Sequence, residues 1–335
     1  MGGEGDMTKV AVLDDWQGVA GSSADWSPLE ALAELVFFAE PFASEDEAAT
    51  ALADFEIILS MRERTPLPAR LINRLTALKM LGITGARNLS LDLAACTARG
   101  VVVSYTASDG KSDSATAELA LALLLAAARA VPAADAAIRA GGFQQGVPMG
   151  LTLAGKTLGV IGLGKLGGRM ARYGRALEMQ VLAWSQNLTD EAAAAAGAER
   201  VSKEALLSRA DAVSLHLVLS PRSRGIIGAA ELALMKPGAI LVNTSRGPLV
   251  DEAALLAAVT EGRVFAALDV FDHEPLPPAH PWRSAPNTVL TPHLGYGVVE
   301  TWRQFYPQSV ENALAYLAGK PMRVLNPDVL PAGTA

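Results

Sequence analysis

Residues 157–161 (TLGVI) form a short apolar run, followed at once by Gly162-Leu163-Gly164-Lys165-Leu166-Gly167 and then by the helical pattern GGRMARYGRALE. Glycines at the first, third and sixth positions of a strand-to-helix turn suit one local structure. The first permits the tight turn, the second lets a pyrophosphate approach the backbone, and the third lets helix and strand pack closely. Free N–H groups at the helix start then meet the anion. The segment is therefore read as the phosphate loop of a βαβ dinucleotide-binding unit, with Gly162, Gly164, Lys165, Leu166 and Gly167 as cofactor contacts.

At the end of the next strand, where an acidic residue would bind the ribose hydroxyls of NAD, the chain reads Trp184-Ser185-Gln186-Asn187. Ser185 can bond either a hydroxyl or the phosphate of NADP, and no Arg adjoins it, so the choice between NAD and NADP stays open. Asp190 and Glu191 are assigned to the first turn of the following helix, where negative charge is favoured.

Around this unit the chain reads as two successive strand–helix series. The first has the runs KVAVLDDW, LVFF, EIILS, LKMLGIT and VVVSY; the second has TLGVIG, QVLAW, DAVSLHL, GAILVN, VFAALDV and NTVLTP. Repeated alternation predicts parallel sheets with helices on their faces. Helix starts are marked by Ser44 with Glu47 as a capping box, by Thr65 before Pro66, by Ser90 ahead of the helix through Cys96, and by Asp251. One long Ala- and Leu-rich helix is expected over residues 111–139, followed by the arm GGFQQGVPMG. A last helix over residues 299–317, with the tail GKPMRVLNP, is expected to return to the first series. The resulting boundaries are 1–105 with 297–335 for one domain and 106–296 for the other. A cleft between two such domains is where ligands tend to sit.

Composition narrows the function classes. Half the residues are apolar and 19% are charged, the balance of a soluble globular chain. The net charge of −7, without clustered Lys and Arg, argues against nucleic acid as a partner. Cys96 is the sole cysteine, so no internal disulfide can form; its apolar helical setting suits a buried small hydrophobe. The start MGGEGDM lacks signal-peptide and myristoylation patterns, and Leu119 to Ala128 is far too short for the ~20 residues a bilayer span needs. A cytoplasmic protein without a membrane partner is expected. No metal-ligating spacing is found.

Three polar residues follow in order: Arg246 in NTSRGPLVDE, Glu274 in ALDVFDHEP and His293 in TPHLGY. They supply an anion clamp, a carboxylate and a proton donor. Together with GLGKLG, these motifs resemble the ordered series of the D-isomer-specific 2-hydroxyacid dehydrogenases, the family of D-3-phosphoglycerate dehydrogenase and glyoxylate/hydroxypyruvate reductase. The resemblance covers nearly the whole chain, more loosely before Lys111. It implies an α/β fold in which a Rossmann dinucleotide-binding domain is inserted into a discontinuous flavodoxin-like substrate domain.

Position by position, the resemblance makes Arg246 the residue that grips the substrate carboxylate and carbonyl, as a planar guanidinium suits. His293 becomes the acid in reduction and the base in oxidation, and Glu274 the carboxylate that bonds its ring and keeps a proton available. Asp269 would hold the nicotinamide carboxamide, with Thr244, Ser245 and Gly295 also on the cofactor. His216 would border the adenine side through its backbone, and its ring is given no chemistry. His273 and His280 are read as solvated. In the first series, N–H groups near Thr84 and Gly85 would meet the substrate carboxylate, and Arg62 or Arg64 its far end; either arginine can equally be a solvated charge. Phe143, Trp282 and Tyr296 are alternatives for the pocket wall.

The expected activity is hydride transfer between NAD or NADP and a small 2-oxo acid or D-2-hydroxy acid, by a homodimer built through the region from Lys111 to the GGFQQGVPMG arm. Two other readings stand beside it. A non-catalytic NAD sensor of the corepressor type shares the fold, although no acidic or Pro-rich recruiting tail is present. Formate dehydrogenase shares the cofactor motifs but carries Gln where this chain has Glu274.

Overall fold

The computed structural model describes residues 7–331; the opening MGGEGD and the last four residues, through Ala335, lie outside the described residues. The chain divides into two compact units, one formed by the chain up to Ser112 and again from Val298, the other by Asp113–Gly297.

In the first unit, five parallel strands take the order β2-β1-β3-β4-β5: β1 Thr8–Val12, β2 Ala33–Phe37, β3 Ile57–Ser60, β4 Met80–Ile83 and β5 Val102–Tyr105. Strands β3 and β4 are buried at every position, as expected of parallel strands covered on both faces. The covering helices are α1 Ala20–Ser23, α2 Ser27–Glu30, α3 Glu45–Ala51, α4 Ala69–Arg74 and α5 Leu93–Ala98. Cys96 of α5 is fully buried, and burial pushes its thiol up to about 11, which leaves it inert at neutral pH.

Helix signals in this unit met mixed outcomes. Ser44 caps α3 by accepting from the Glu47 N–H at 3.1 Å, and Glu47 reaches back to the Ala43 N–H, one residue beyond the box position. Thr65–Pro66 does not start a helix. Thr65 gives its hydroxyl to Asp14, and α4 begins only at Ala69. Ser90 is likewise not a cap: it donates to Asn88, and Asp92 caps α5 through the Ala95 N–H at 2.9 Å. In both cases a nearby acceptor outcompeted the local helix signal.

The second unit holds the other sheet, in the order β12-β11-β10-β9-β6-β7-β8. Its elements in chain order are α6 Ala115–Ala128, α7 Val131–Arg139, β6 Thr157–Ile161, α8 Lys165–Ala176, β7 Gln180–Trp184, α9 Asp190–Ala195, β8 Glu199–Arg200, α10 Lys203–Arg209, β9 Ala212–Leu215, α11 Ala229–Leu234, β10 Ala239–Asn243, α12 Glu252–Thr260, β11 Val264–Leu268 and β12 Thr288–Leu290. This is the Rossmann order, reversing between β6 and β9, with a seventh strand added beyond the six. Asp251 caps α12 as the sequence predicts, accepting from the Ala254 N–H at 2.9 Å.

The helix expected over residues 111–139 is two helices. Ala130 takes a left-handed conformation at φ +49°, Pro132 lies in the first turn of α7, and the two axes differ by 65°. A proline is compatible with the first turn of a new helix but not with the interior of a continuing one. Helix α6 buries Ala120, Leu123 and Leu124 in the core of this unit. Among the described residues no single helix is long and apolar enough to cross a membrane.

The chain returns to the first unit through α13 Val299–Leu317, which packs on α1, α2, β4 and β5. Its tail joins the sheet edge, with an antiparallel bridge between Ser104 and Val324 and Asn326 bonded to both Val101 and Val103.

Candidate active site

The glycine turn lies between the end of β6 and the start of α8, beside the point where strand order reverses. Gly162 has φ +98°, and a Cβ there would fall 2.6 Å from the His216 carbonyl. A Cβ on Gly167 would collide with the Gly162 carbonyl oxygen, whereas one on Gly164 would meet nothing within 4 Å. Packing thus demands the outer glycines, and the middle one leaves open space at the α8 N-terminus. That pattern is a cradle for a phosphate pair. Lys165 opens α8 and pairs with Asp113; Leu166 follows it, half-buried.

Thr244 and Ser245 follow β10. The Thr244 hydroxyl is buried with no protein partner, a vacancy in hydrogen bonding that a bound polar group would fill. Ser245 donates its hydroxyl to Leu215 O at 2.8 Å and its N–H to Asn243 Oδ1 at 3.0 Å. Ser185 follows β7, and its carbonyl accepts from the Leu188 N–H, with no acidic residue between Trp184 and Leu188. Asp190 and Glu191 occupy the first turn of α9, as expected. The residues at the turn and at Thr244 therefore fit a dinucleotide.

His216 lies half-buried just beyond β9. Its Nε2 lies 2.9 Å from Ser214 Oγ, its Nδ1 has no partner, and burial pushes its pKa down to about 4. The ring is neutral, while its carbonyl faces Gly162.

Asp269 organises the segment after β12. Fully buried, it accepts from the Thr291 hydroxyl at 2.6 Å and the Leu294 N–H at 2.7 Å through Oδ1, and from the Gly295 N–H at 2.9 Å through Oδ2. Its carbonyl also accepts from the His293 N–H at 2.8 Å. Burial raises its pKa, opposed by the Thr291 bond, the Leu294 N–H, the His293 charge and the Gly295 N–H. Thr116 of α6 adds a bond to the Gly295 carbonyl at 2.9 Å. These contacts over-determine His293, which sits at φ +55°, a conformation that β-carbon sterics disfavour.

The result is a pair. His293 Nδ1 lies 2.5 Å from Glu274 Oε2, and Glu274 Oε1 accepts from the Phe271 N–H at 2.8 Å. Each side chain is 28% exposed, so both remain open to a ligand. The Tyr296 ring stands edge-on to the imidazole at 5.8 Å. Arg246 is half-buried after β10, with Nη1 on Ser245 O at 2.7 Å and its own carbonyl held by Asn243 Nδ2.

Several readings of the sequence need correction. Trp282 cannot wall a pocket: it is 2% exposed in the core of the second unit and donates its indole N–H to Glu252. His280 is not solvated, since it caps a turn at Trp282 and approaches Glu252 at 3.3 Å; His273 is exposed. The Gly85 N–H is donated to the Thr106 hydroxyl at 2.8 Å. Arg62, at φ +53°, is bonded to Thr84 through its N–H and guanidinium, and Arg64 donates to the Asp14 carbonyl, so neither is a solvated charge. Phe143 is 65% exposed. The sequence reading missed Thr116 and Thr291. Only Thr291, two residues before His293, had a motif to flag it.

A seven-stranded parallel sheet with this glycine cradle defines a dinucleotide-binding domain, and the loops after β11 and β12 add a carboxylate–histidine pair. The profile of the D-isomer specific 2-hydroxyacid dehydrogenase NAD binding domain matches residues 121–295. The chain is 37% identical over 281 residues to D-3-phosphoglycerate dehydrogenase of Archaeoglobus fulgidus, covering 84% of this chain but only 53% of that protein. It is 41% identical over 250 residues to glyoxylate reductase of Aeropyrum pernix, covering 72% and 74% of the two chains. A solved phosphoglycerate oxidoreductase from Vibrio cholerae superposes with a TM-score of 0.86 at 33% identity, over 93% of this chain and 99% of that one. The chain belongs to the D-isomer specific 2-hydroxyacid dehydrogenase family, and its cofactor is a nicotinamide dinucleotide, NAD or NADP.

Proposed function

We propose that the protein interconverts a small 2-oxo acid and the corresponding D-2-hydroxy acid, with His293 as the acid and base. The observation that carries this reading is the 2.5 Å pairing of His293 Nδ1 with Glu274, in the family's cofactor domain. Glu274 accepts at Nδ1, which leaves Nε2 to address the substrate. It fixes both the tautomer and the ring plane. The Arg246 guanidinium, oriented by its bond to Ser245 O, clamps the substrate carboxylate and polarises the carbonyl. When bound, the nicotinamide supplies a hydride to the carbonyl carbon. His293 then delivers the Nε2 proton to the carbonyl oxygen, which becomes the hydroxyl of the product, and the imidazole ends neutral.

Asp269, Gly295, Thr244 and Ser245 border the nicotinamide side in this reading, and Gly162 to Gly167, Ser185 and the His216 backbone the rest of the cofactor. In this reading Thr84 of the first unit borders the substrate carboxylate, and Arg62 and Arg64 its far end. We place the enzyme in the cytoplasm as a homodimer. The dimer is supported by exposed apolar side chains on α7 and the arm after it: Val131, Ile138, Phe143 and Met149.

The test is oxidation of NADH and of NADPH against glyoxylate, hydroxypyruvate and bulkier 2-oxo acids. Turnover of at least one acid is expected. Tight cofactor binding without turnover of any acid contradicts the enzymatic reading and leaves the NAD-sensor alternative.

A further inference from the structure

Arg246, Glu274 and His293 stand on three different loops of the second unit, after β10, β11 and β12. The last residue of β10 ties the first of these loops to the other two. Asn243 is 1% exposed, and both polar ends of its side chain are engaged by the loop that follows it. Its Oδ1 accepts from the Ser245 N–H at 3.0 Å, and its Nδ2 donates to the Arg246 carbonyl at 2.9 Å. Its own carbonyl accepts from the Asp269 N–H at 3.0 Å. One buried residue thus bonds both to the backbone of Arg246 and to the residue whose carboxylate holds the His293 segment.

The Asn243 amide fits this place in one orientation only. Reversed, it would set oxygen against the Arg246 carbonyl and N–H against the Ser245 N–H. A carboxylate of the same shape has no donor for that carbonyl, and a buried carbonyl without a partner costs as much as a lost hydrogen bond.

A second tie lies on the other side of Arg246. A Cβ on Gly247 would fall 2.2 Å from the Phe271 carbonyl carbon and 2.6 Å from the Asp272 nitrogen, so the two backbones are in direct contact. Phe271 is the residue whose N–H Glu274 accepts at 2.8 Å. Arg246 is therefore bracketed: Asn243 joins it to Asp269, and Gly247 seats it against the loop of Glu274. An error of about 1 Å in the placement of a reacting group can cost about 10²-fold in rate. Fixing the backbone in advance also removes ordering that substrate binding would otherwise have to supply.

We propose that Asn243 is a positioning residue for the reaction, which holds the Arg246 backbone in register with the His293 segment so that a gripped substrate presents its carbonyl to the imidazole. This rests on the reading above that Arg246 clamps the substrate carboxylate.

The test is a double-mutant cycle on the full chain, read by oxamate binding in the presence of reduced cofactor and by steady-state kinetics with the best 2-oxo acid. Oxamate carries the carboxylate and carbonyl of a 2-oxo acid but accepts no hydride, so its affinity reports the clamp apart from proton transfer. Asn243→Ala should weaken oxamate about tenfold and lower kcat/KM at least as much, with affinity for the reduced cofactor within about twofold of wild type. Added to Arg246→Lys, the same change should cost less than about a further twofold, because residues that act through one another are not additive. Asn243→Ser, too short to reach both partners, carries the cycle if Asn243→Ala does not fold. Additive losses, or a lower melting temperature with oxamate affinity unchanged, would show a merely structural role and overturn the proposal. A loss in Arg246→Lys without one in Asn243→Ala overturns the positioning role alone. Wild-type oxamate affinity and kcat/KM in Arg246→Lys overturn the clamp reading, and the inference with it.

Discussion

Glu274 holds the His293 ring with one carboxylate oxygen and the Phe271 backbone N–H with the other, at 2.5 and 2.8 Å. The carboxylate therefore has a fixed direction before any ligand arrives, and the imidazole inherits it. Glu274→Gln would keep the shape but can present N–H where Nδ1–H needs an acceptor. We expect kcat to fall by about 10²- to 10⁴-fold with cofactor affinity unchanged. Steady-state kinetics and cofactor titration check it, and a wild-type kcat contradicts it.

Asp269 accepts three hydrogen bonds from the segment that carries His293. Asn has one acceptor oxygen, so Asp269→Asn must lose at least one of them and leave a donor unpaired. The expected cost is about 1–3 kcal/mol of stability together with a lower kcat, because the histidine loses its support. Denaturant unfolding and kinetics on the same preparation decide it; unchanged stability would mean that the carboxylate is not what holds the loop.

His216 makes stability depend on pH. Its pKa in the folded protein is lowered from 6.5 to about 4 by burial, so the folded state resists the proton that the unfolded chain accepts. The contribution is fully present above pH 6.5 and is lost as pH falls through about 4, amounting to about 3 kcal/mol. His216→Gln should lose this part of the acid sensitivity, as read from urea midpoints at neutral and acid pH. Equal losses in the two proteins would contradict it.

Met149 is 99% exposed and Phe143 65% exposed on the arm after α7. If that arm is a dimer contact, light scattering at micromolar concentration should give twice the chain mass, and Phe143→Asp with Met149→Asp should give the single mass. A wild-type monomer counts against the contact.

What the sequence disclosed, and what it hid, follows the range of the interactions. Buried parallel strands are apolar along their whole length, so β3, β4 and β10 were legible as runs, and the Asp251 cap acts within three residues of itself. Thr65 was misread because its acceptor, Asp14, lies 51 positions away. The break at Ala130 rests on one left-handed residue before Pro132. Strand β8 is two residues long, too short for any periodicity. At the site, Arg246, Glu274 and His293 were legible as motif members. The 2.5 Å contact, the three-bond grip of Asp269 and the burial of Trp282 depend on chain packing, which spacing does not encode.

The most direct test of the account is His293→Ala, measured for cofactor binding and for reduction of the best 2-oxo acid. The account predicts that cofactor affinity and melting temperature stay near wild type while turnover falls by at least about 10²-fold. A variant that binds cofactor and still reduces the acid at close to the wild-type rate would contradict it, because the proton would then have another source.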